Sequence, residues 1–331
     1  LAERLASDAS PAVRREVALS LRDVPFEKSG SLLVALARGY DGKDRSYLEA
    51  WGIGATHKES ALYSALKAAH ATQPWVGPSW LDLVWRLTPA EAVPELRTMA
   101  LDPGLWPASR SKVITALGFI PTKESAQVLL DVAEKGERDL KTNPALWWLL
   151  NYKDTRWADA GIDAELKRRK LFDPDAVTVS ESLVPEPGVA KVTVADVAKL
   201  RGNAKRGAVA VAACRMCHRV GGDGAEYGPD INGFAGRQTK EVVITALVNP
   251  SNDIAHGYEG TQVTLVDARR IHGMVLSGGN PLIIQSTGGV TQMIPAGMIK
   301  ERKRLGRSLM LSADQLGLTA QQIADIVEYL K

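Results

Sequence analysis

Two cysteines and a histidine stand together in the C-terminal half of the chain, in the stretch AACRMCHRVGG at residues 212–222. Cys214 and Cys217 are the only cysteines in the sequence, and His218 directly follows the second. Thiols exchange disulfides. Thiols and imidazoles together bind zinc or, in certain spacings, attach a haem. The spacing therefore raises three possibilities: a redox dithiol, part of a zinc site, or two anchors for a haem.

These possibilities make different demands on the rest of the chain. A zinc site needs four ligands, and without a second cysteine pair the others would have to come from scattered histidines. A thioredoxin-type dithiol lies at a strand-to-helix junction of a βαβ unit, whereas this motif ends an Ala-rich helical stretch at 202–213. Cys-x-x-Cys-His is the attachment motif of c-type haem, since two thiols on one turn reach its two vinyl groups. The motif therefore predicts one covalent haem c with His218 as an axial ligand.

The elements that must position this motif belong to a chain of ordinary globular composition. It has 331 residues, a formal net charge of +3 and 45% hydrophobic residues, which does not indicate disorder or a nucleic-acid partner. No apolar run approaches the roughly 18–20 residues of a membrane span. The sequence opens on Leu1 within an amphipathic helical pattern and without a signal peptide, as expected for a processed protein or a fragment.

Residues 1–172 have the pattern of paired amphipathic helices. Ser10 before Pro11 is a typical helix start, and apolar residues recur every four positions from Val13. The turn D-x-S-x-x-V-R at 8–14 resembles that of a HEAT repeat, and fainter helix pairs follow at about the same period. The resemblance implies a curved α-solenoid, which would serve either as a docking surface or as a spacer. The sequence leaves both roles open.

The eight tryptophans all lie between Trp51 and Trp157. Trp147 and Trp148 lie in the apolar helix LWWLL and are predicted to be core residues. Three others neighbour prolines in loops and are candidates for a contact surface, namely Trp75, Trp80 and Trp106.

A second domain is predicted at 202–331, after a proline-containing linker or strap at 173–201. Its segment GPDINGFAGR, at 228–237, resembles part of the class I cytochromes c. The resemblance implies that the carbonyl of Pro229 accepts a hydrogen bond from His218. It also implies that Gly233 allows a close approach to the haem and that Arg237 lies near a propionate. A terminal helix, LTAQQIADIVEYLK, would cross the helix before the cysteines, with Gly207 and Tyr329 at the crossing.

Alternating apolar and polar residues within about 258–300 predict a small antiparallel β module inserted into this domain: TQVTLV, RIHGMVL, PLIIQS and VTQMI. The order of these motifs resembles the C-terminal haem-binding domain of planctomycete and verrucomicrobial secreted proteins, which commonly follows HEAT repeats. The expected fold is thus mainly α, a HEAT-like solenoid followed by a class I cytochrome c-like helical domain with a β insert.

The second axial ligand predicted by the same resemblance is Met310, which also lies on a polar loop before the last helix. The family usually reads S-L-M-P here, whereas this chain has Leu311 in place of the proline. A thioether ligand raises the reduction potential of a haem iron. Met274 lies on a predicted strand and is expected in the core. The other candidates for the position are Met293, Met298, His256 and His272.

The function implied is that of an electron carrier without substrate chemistry of its own. It would accept electrons from a sugar-type dehydrogenase, as a partner or a further domain, and pass them to a downstream acceptor. Covalent haem attachment takes place outside the cytoplasm, so a periplasmic or exported location is expected. The basic run KERKRLGR, at 300–307, is either a solvated loop or a docking patch for an acidic redox partner. An open sixth position, with peroxide reduction or gas binding, is the alternative.

Overall fold

The structure is a computed structural model and describes residues 2–74, 79–137, 139–140 and 142–331. It is mainly helical, with a five-stranded antiparallel sheet in its C-terminal part. The predicted combination of helices with a small antiparallel β module is therefore confirmed. The chain divides into two compact units, residues 1–173 and 174–331. Within the described ranges, no helix is long and apolar enough to cross a membrane.

The first unit consists of short helices joined by tight turns. Most of its helices pack against the helix two positions along the chain, so odd- and even-numbered helices form two layers. Such stacking is expected because a single amphipathic helix pair cannot cover its own apolar face. The helices are α1 (Ala2–Ala6), α2 (Pro11–Ser20), α3 (Phe26–Arg38), α4 (Arg45–Gly54), α5 (Glu59–Thr72), α6 (Ser79–Leu87), α7 (Val93–Leu101), α8 (Pro107–Phe119), α9 (Lys123–Lys135), α10 (Pro144–Tyr152) and α11 (Ile162–Arg168).

The turn at 8–14 shows what its motif does. Ser10 occupies the cap position of α2 and Pro11 its first turn, but the Ser10 side chain makes no cap hydrogen bond. Instead, the Ser10 amide donates to Asp8 Oδ1 at 2.8 Å. Arg14 donates to the carbonyls of Asp8, at 2.5 Å, and Gly39, at 3.1 Å. The arginine therefore ties the first turn to the end of α3.

The tryptophan predictions have mixed outcomes. Trp80 as a surface residue is wrong, since it is 8% exposed and its Nε1 donates to Glu95 Oε1 at 2.9 Å. Trp106 is 73% exposed, whereas Trp75 lies outside the described residues. Trp147 and Trp148 are half-buried and pack edge to face.

The second unit combines four helices with the sheet. The four predicted strands are present, and a fifth, unpredicted strand covers most of the basic run. Strands neighbour one another in the order β4-β3-β2-β1-β5, and all pairs are antiparallel. The elements are α12 (Val194–Ala198), α13 (Ala204–Ala210), α14 (Lys240–Val248), β1 (Thr261–Leu265), β2 (Arg270–Ser277), β3 (Leu282–Ser286), β4 (Val290–Ile294), β5 (Ile299–Arg304) and α15 (Ala320–Tyr329).

Part of the segment expected as a linker is a strap on the sheet, and we use this name for residues 177–186. Val179 is buried in the apolar core of the sheet. Ser182 pairs with Ile271 of β2, and the His272 amide donates to the Ser182 carbonyl at 2.6 Å. The strap therefore belongs to the second unit, which begins at residue 174. A proline-rich sequence without periodicity did not reveal this pairing.

The helix crossing predicted from Gly207 and Tyr329 is confirmed. A Cβ on Gly207 of α13 would lie 2.7 Å from Tyr329 Cβ, and it would also collide with the Asp325 carbonyl of α15. Asp325 is 2% exposed and pairs with Arg206 through two contacts of 2.6 and 2.8 Å. This pairing holds the pKa of Asp325 below its ordinary value. The crossing fixes the helix that leads into the cysteines.

Candidate functional site

The Cys-x-x-Cys-His motif forms one tight turn directly after α13. A 3₁₀ helix spans Val211–Met216. The amides of Cys217 and His218 both donate to the Cys214 carbonyl, at 3.1 and 2.9 Å. Both thiols are free, and Cys214 is buried in the helical core of the unit. The turn thus holds two thiols without a disulfide and one imidazole within five consecutive residues.

The imidazole of His218 is held by the loop that follows it. His218 Nδ1 lies 2.7 Å from the Pro229 carbonyl oxygen. A carbonyl only accepts hydrogen bonds, so Nδ1 carries the proton and Nε2 keeps its lone pair. His218 is 8% exposed, and this burial lowers the pKa of its imidazole. The side chain is therefore a neutral imidazole with one nitrogen available to a metal.

Gly228 makes room for this imidazole. A Cβ at residue 228 would lie 2.6 Å from His218 Nδ1, which is closer than side chains approach one another. The same loop is bound back to the motif, because the amides of Tyr227 and Gly228 both donate to the Cys217 carbonyl, at 3.1 and 2.6 Å. The loop and the imidazole consequently fit each other only with glycine at this position.

The motif opens onto a cleft of about 150 Å³ with a mainly apolar lining. Its walls come from the motif, the loop after it, α14, the segment before β1, β2 and the loop before α15. The lining residues are Cys217, His218, Tyr227, Gly228, Pro229, Ala246, Pro250, Asp253, Ile254, Ala255, Tyr258, Met274, Ser308, Leu309 and Met310. An apolar cleft with a few polar groups is typical of cofactor sites.

Met310, the predicted second ligand, lies on the wall of the same cleft as His218. Its amide donates to Ser308 Oγ at 3.0 Å, and the Ser308 amide donates to Ser251 Oγ at 3.1 Å. Met310 also packs against the core cluster that contains Cys214. The structure therefore brings together five predicted site residues around one cleft and its adjoining core, namely the two cysteines, His218, Pro229 and Met310.

The other candidates for the second ligand lie elsewhere. Met293 is on β4, and Met298 packs against the core of the sheet. The side chain of His256 is fully exposed, with Nδ1 3.3 Å from Glu259 Oε1. Met274 is buried, as predicted, but it also lines the cleft. His272 has both ring nitrogens engaged within the strap and the sheet.

Gly233 and Arg237 are not brought to the cleft. Gly233 has a φ of +59° and forms a left-handed turn that favours glycine. Arg237 is exposed, and its Nη2 donates to the Asn232 carbonyl at 3.2 Å. Neither residue is among those that line the cleft. In this structure both residues shape the loop before α14.

Sequence reasoning missed several residues that line the cleft. In the sequence, Gly228 stands directly before Pro229, and Tyr258 stands within the segment Gly-Tyr-Glu at 257–259. Tyr227 is 4% exposed, and burial raises its pKa to about 12. Residues distant in the sequence meet here, and periodicity within one element does not predict such meetings.

The surroundings of the two thiols differ from those of a reactive dithiol. Burial raises the pKa of Cys214 and of Cys217, whereas redox-active cysteines have a lowered thiol pKa. A structural zinc site would need four ligands. Among the described residues, no group of three or more His, Cys, Asp or Glu side chains could hold a metal ion.

By fold and site, the chain is a mainly helical protein with a small antiparallel sheet and an apolar cleft that contains a cysteine, a histidine and a methionine. No protein-family model matches the chain, and a search of curated proteins finds no match either. Its function therefore has to be argued from the cleft itself.

His272 gives a prediction about pH. Its Nδ1 accepts from the Val184 amide at 3.1 Å, so Nε2 carries the proton and donates to Gln262 Oε1, also at 3.1 Å. Burial lowers the pKa of His272 below its ordinary value of 6.5. The cations Arg307 and Arg270 lower this pKa further, whereas Glu186 raises it. The unfolded chain therefore binds a proton at higher pH than the folded one. We expect the free energy of unfolding to decrease as the pH falls below about 6.5.

Urea unfolding of wild type and His272→Gln across this pH range measures the effect. The variant should lose less stability on acidification, because it lacks the buried imidazole of residue 272. His218 is present in both proteins, so its contribution cancels in the comparison. His256→Gln is the matched control, since this side chain is fully exposed. An identical pH dependence for wild type and His272→Gln would contradict the neutral, buried state of His272.

Proposed function

We propose that the chain is a monohaem c-type electron-transfer protein. Cys214 and Cys217 would hold the haem through two thioether bonds, and His218 and Met310 would bind its iron. One observation carries the proposal: the Pro229 carbonyl fixes the His218 tautomer that leaves Nε2 free to bind iron, on the cleft that Met310 also lines.

The residues present fit this group in three ways. The donor set of two thiols, an imidazole and a thioether is that of a covalently attached haem. The absence of a Cβ at Gly228 makes room for the His218 imidazole on the wall of the cleft. The remaining lining is mainly apolar, as suits a macrocycle with a largely apolar surface.

A haem iron, when bound, takes up and releases one electron at a time. The residues of this chain would set the conditions for that exchange. The Pro229 carbonyl orients the His218 imidazole, and a hydrogen bond to the other nitrogen of a metal-bound imidazole tunes the metal. The buried side chains of Leu309 and Met274 limit the access of water to the cleft. A thioether ligand and low exposure both raise a reduction potential.

The resemblances named above extend the proposal to the whole chain. The crossing of α13 and α15 supports a class I cytochrome c-like arrangement for 202–331. The two helical layers of residues 1–173 support a HEAT-like solenoid, with a docking or spacer role. We propose a dehydrogenase as electron donor, a second redox protein as acceptor, and a periplasmic or exported location.

The proposal is tested by the visible spectrum of protein produced with a c-type haem maturation system. We expect a low-spin spectrum in the reduced state and, in the oxidised state, the far-red band of an iron–thioether bond. Met310→Ala should lose this band completely and become high-spin. Met298→Ala is the matched control, because Met298 packs against the sheet core, and it should keep the band.

Two results would contradict the proposal. Retention of the far-red band in Met310→Ala would show that another residue is the ligand. A wild-type spectrum that is high-spin and changes on addition of cyanide would show an open sixth position, and the plain carrier function would then be wrong.

A further inference from the structure

Strand β5 is at the edge of the sheet. The strand order β4-β3-β2-β1-β5 pairs it with β1 alone, and residues 300–304 are all exposed. Every second residue of an edge strand directs its backbone N–H and C=O away from its partner strand. These unpaired groups are a template on which a further strand can form. Proteins usually protect such edges, so the chemistry of this edge decides what could bind to it.

The side chains of β5 are strongly cationic. Residues 300–304 read KERKR and carry four positive charges and one negative charge. Within the described part of the chain, none of these five side chains makes an ion pair or a hydrogen bond. The charges are therefore solvated and not used inside the unit. Closely spaced positive charges on an edge strand disfavour its pairing with a second copy of the same strand.

The register shows how the charges are distributed. Arg302 and Arg304 share one face of the strand, and Glu301 and Lys303 share the other. Lys300 lies outside this alternation, because the register of β5 against β1 shifts between Glu301 and Ile299. Arg302 lies opposite Val263 of β1, and Arg304 lies opposite Thr261. One face of β5 thus carries two cations and no anion. The other face carries one charge of each sign.

We propose that β5 binds an extended acidic segment of a partner protein, which adds to the sheet as a sixth strand. Backbone hydrogen bonds to the open edge would provide the pairing. Acidic side chains at alternate positions would face Arg302 and Arg304. Opposite charges directly across two strands stabilise the pair, so the charges select an acidic strand over a neutral one. The proposal is independent of the haem, because it uses only the edge of the sheet.

The probe is a fluorescently labelled eight-residue peptide with Glu at alternate positions and Thr between them. Its control has the same residues in the order Glu-Glu-Thr-Thr, repeated twice, and hence the same net charge. Fluorescence anisotropy with the full chain at low salt measures both. We expect the alternating peptide to bind about threefold more tightly, because two of its Glu side chains can face Arg302 and Arg304 at once, whereas only one Glu of the control can. Amide hydrogen exchange in β5 should slow more with the alternating peptide than with the control.

Two single charge reversals on the same strand form the matched pair of variants. Arg302→Glu removes a cation from the uniform face, and Lys303→Glu makes the same change of charge on the opposite face. Arg302→Glu should weaken binding of the alternating peptide at least several-fold more than Lys303→Glu. Circular dichroism checks that both variants are folded, as expected for exposed side chains.

Three results would overturn the proposal. Equal binding of the two peptides would mean that charge alone acts, without strand addition. Equal effects of the two reversals would mean that the faces of β5 are not distinguished. Binding to anionic phospholipid vesicles or heparin, with no binding of either peptide, would assign the strand to a different class of partner.

Discussion

Replacing Cys214 and Cys217 together by alanine should produce a protein with no haem after denaturation. The wild type should keep its haem through denaturing gel electrophoresis, because thioether bonds do not break on unfolding. Each single variant should keep one thioether and hence a haem held at one point. Haem staining of the gel, together with the mass of the intact denatured chain, measures the number of bonds formed.

The double variant also separates attachment from folding. The two thiols are not joined in a disulfide, and alanine removes only one heavy atom from each side chain. We therefore expect the apoprotein to remain folded, with a loss of about 1 kcal/mol for the buried Cys214. If the double variant still carried covalent haem, the attachment site would lie elsewhere in the chain. If the wild type carried none under maturation conditions, the proposed function would be wrong.

How far the sequence predicted the site depends on the distance between residues along the chain. The motif of Cys214, Cys217 and His218 is local, and its geometry follows from one tight turn. The carbonyl of Pro229, eleven residues on, was inferred from the resemblance to class I cytochromes c, and it lies where expected. The same resemblance assigned Gly233 and Arg237 to the haem; neither residue lines the cleft, and this assignment stays a prediction.

The fold shows the same division between local and long-range information. Alternation predicted β1 to β4, but β5 was missed because a run of charged residues is also typical of a solvated loop. An edge strand tolerates such a sequence because its outer side faces water. A linker or strap was expected at 173–201, but its pairing with β2 was missed for a related reason. This pairing depends on single contacts, such as that between Ser182 and His272, which leave no periodic pattern.

Gly228→Ala should displace the His218 imidazole and destabilise the protein. The added Cβ would lie 2.6 Å from His218 Nδ1, and the loop cannot retreat freely because the Gly228 amide is bound to the Cys217 carbonyl. The imidazole therefore has to move, and its hydrogen bond to Pro229 is lost. Overpacking of a buried site costs about 1–3 kcal/mol, so urea unfolding of the apoprotein should show a loss of that order.

Gly297→Ala is the matched control for this variant, because nothing lies within 4 Å of a Cβ at Gly297 and its φ, like that of Gly228, is outside the left-handed region. The control should leave stability unchanged within about 0.5 kcal/mol. In haem-loaded protein, Gly228→Ala should also shift the spectrum towards high spin, because the axial imidazole is displaced, whereas the control should not. Since stability and spectrum report on the same imidazole, a destabilised variant with an unchanged spectrum would mean that His218 is buried there without being a ligand. If neither the free energy of unfolding nor the spectrum changed, the imidazole would not lie against Gly228.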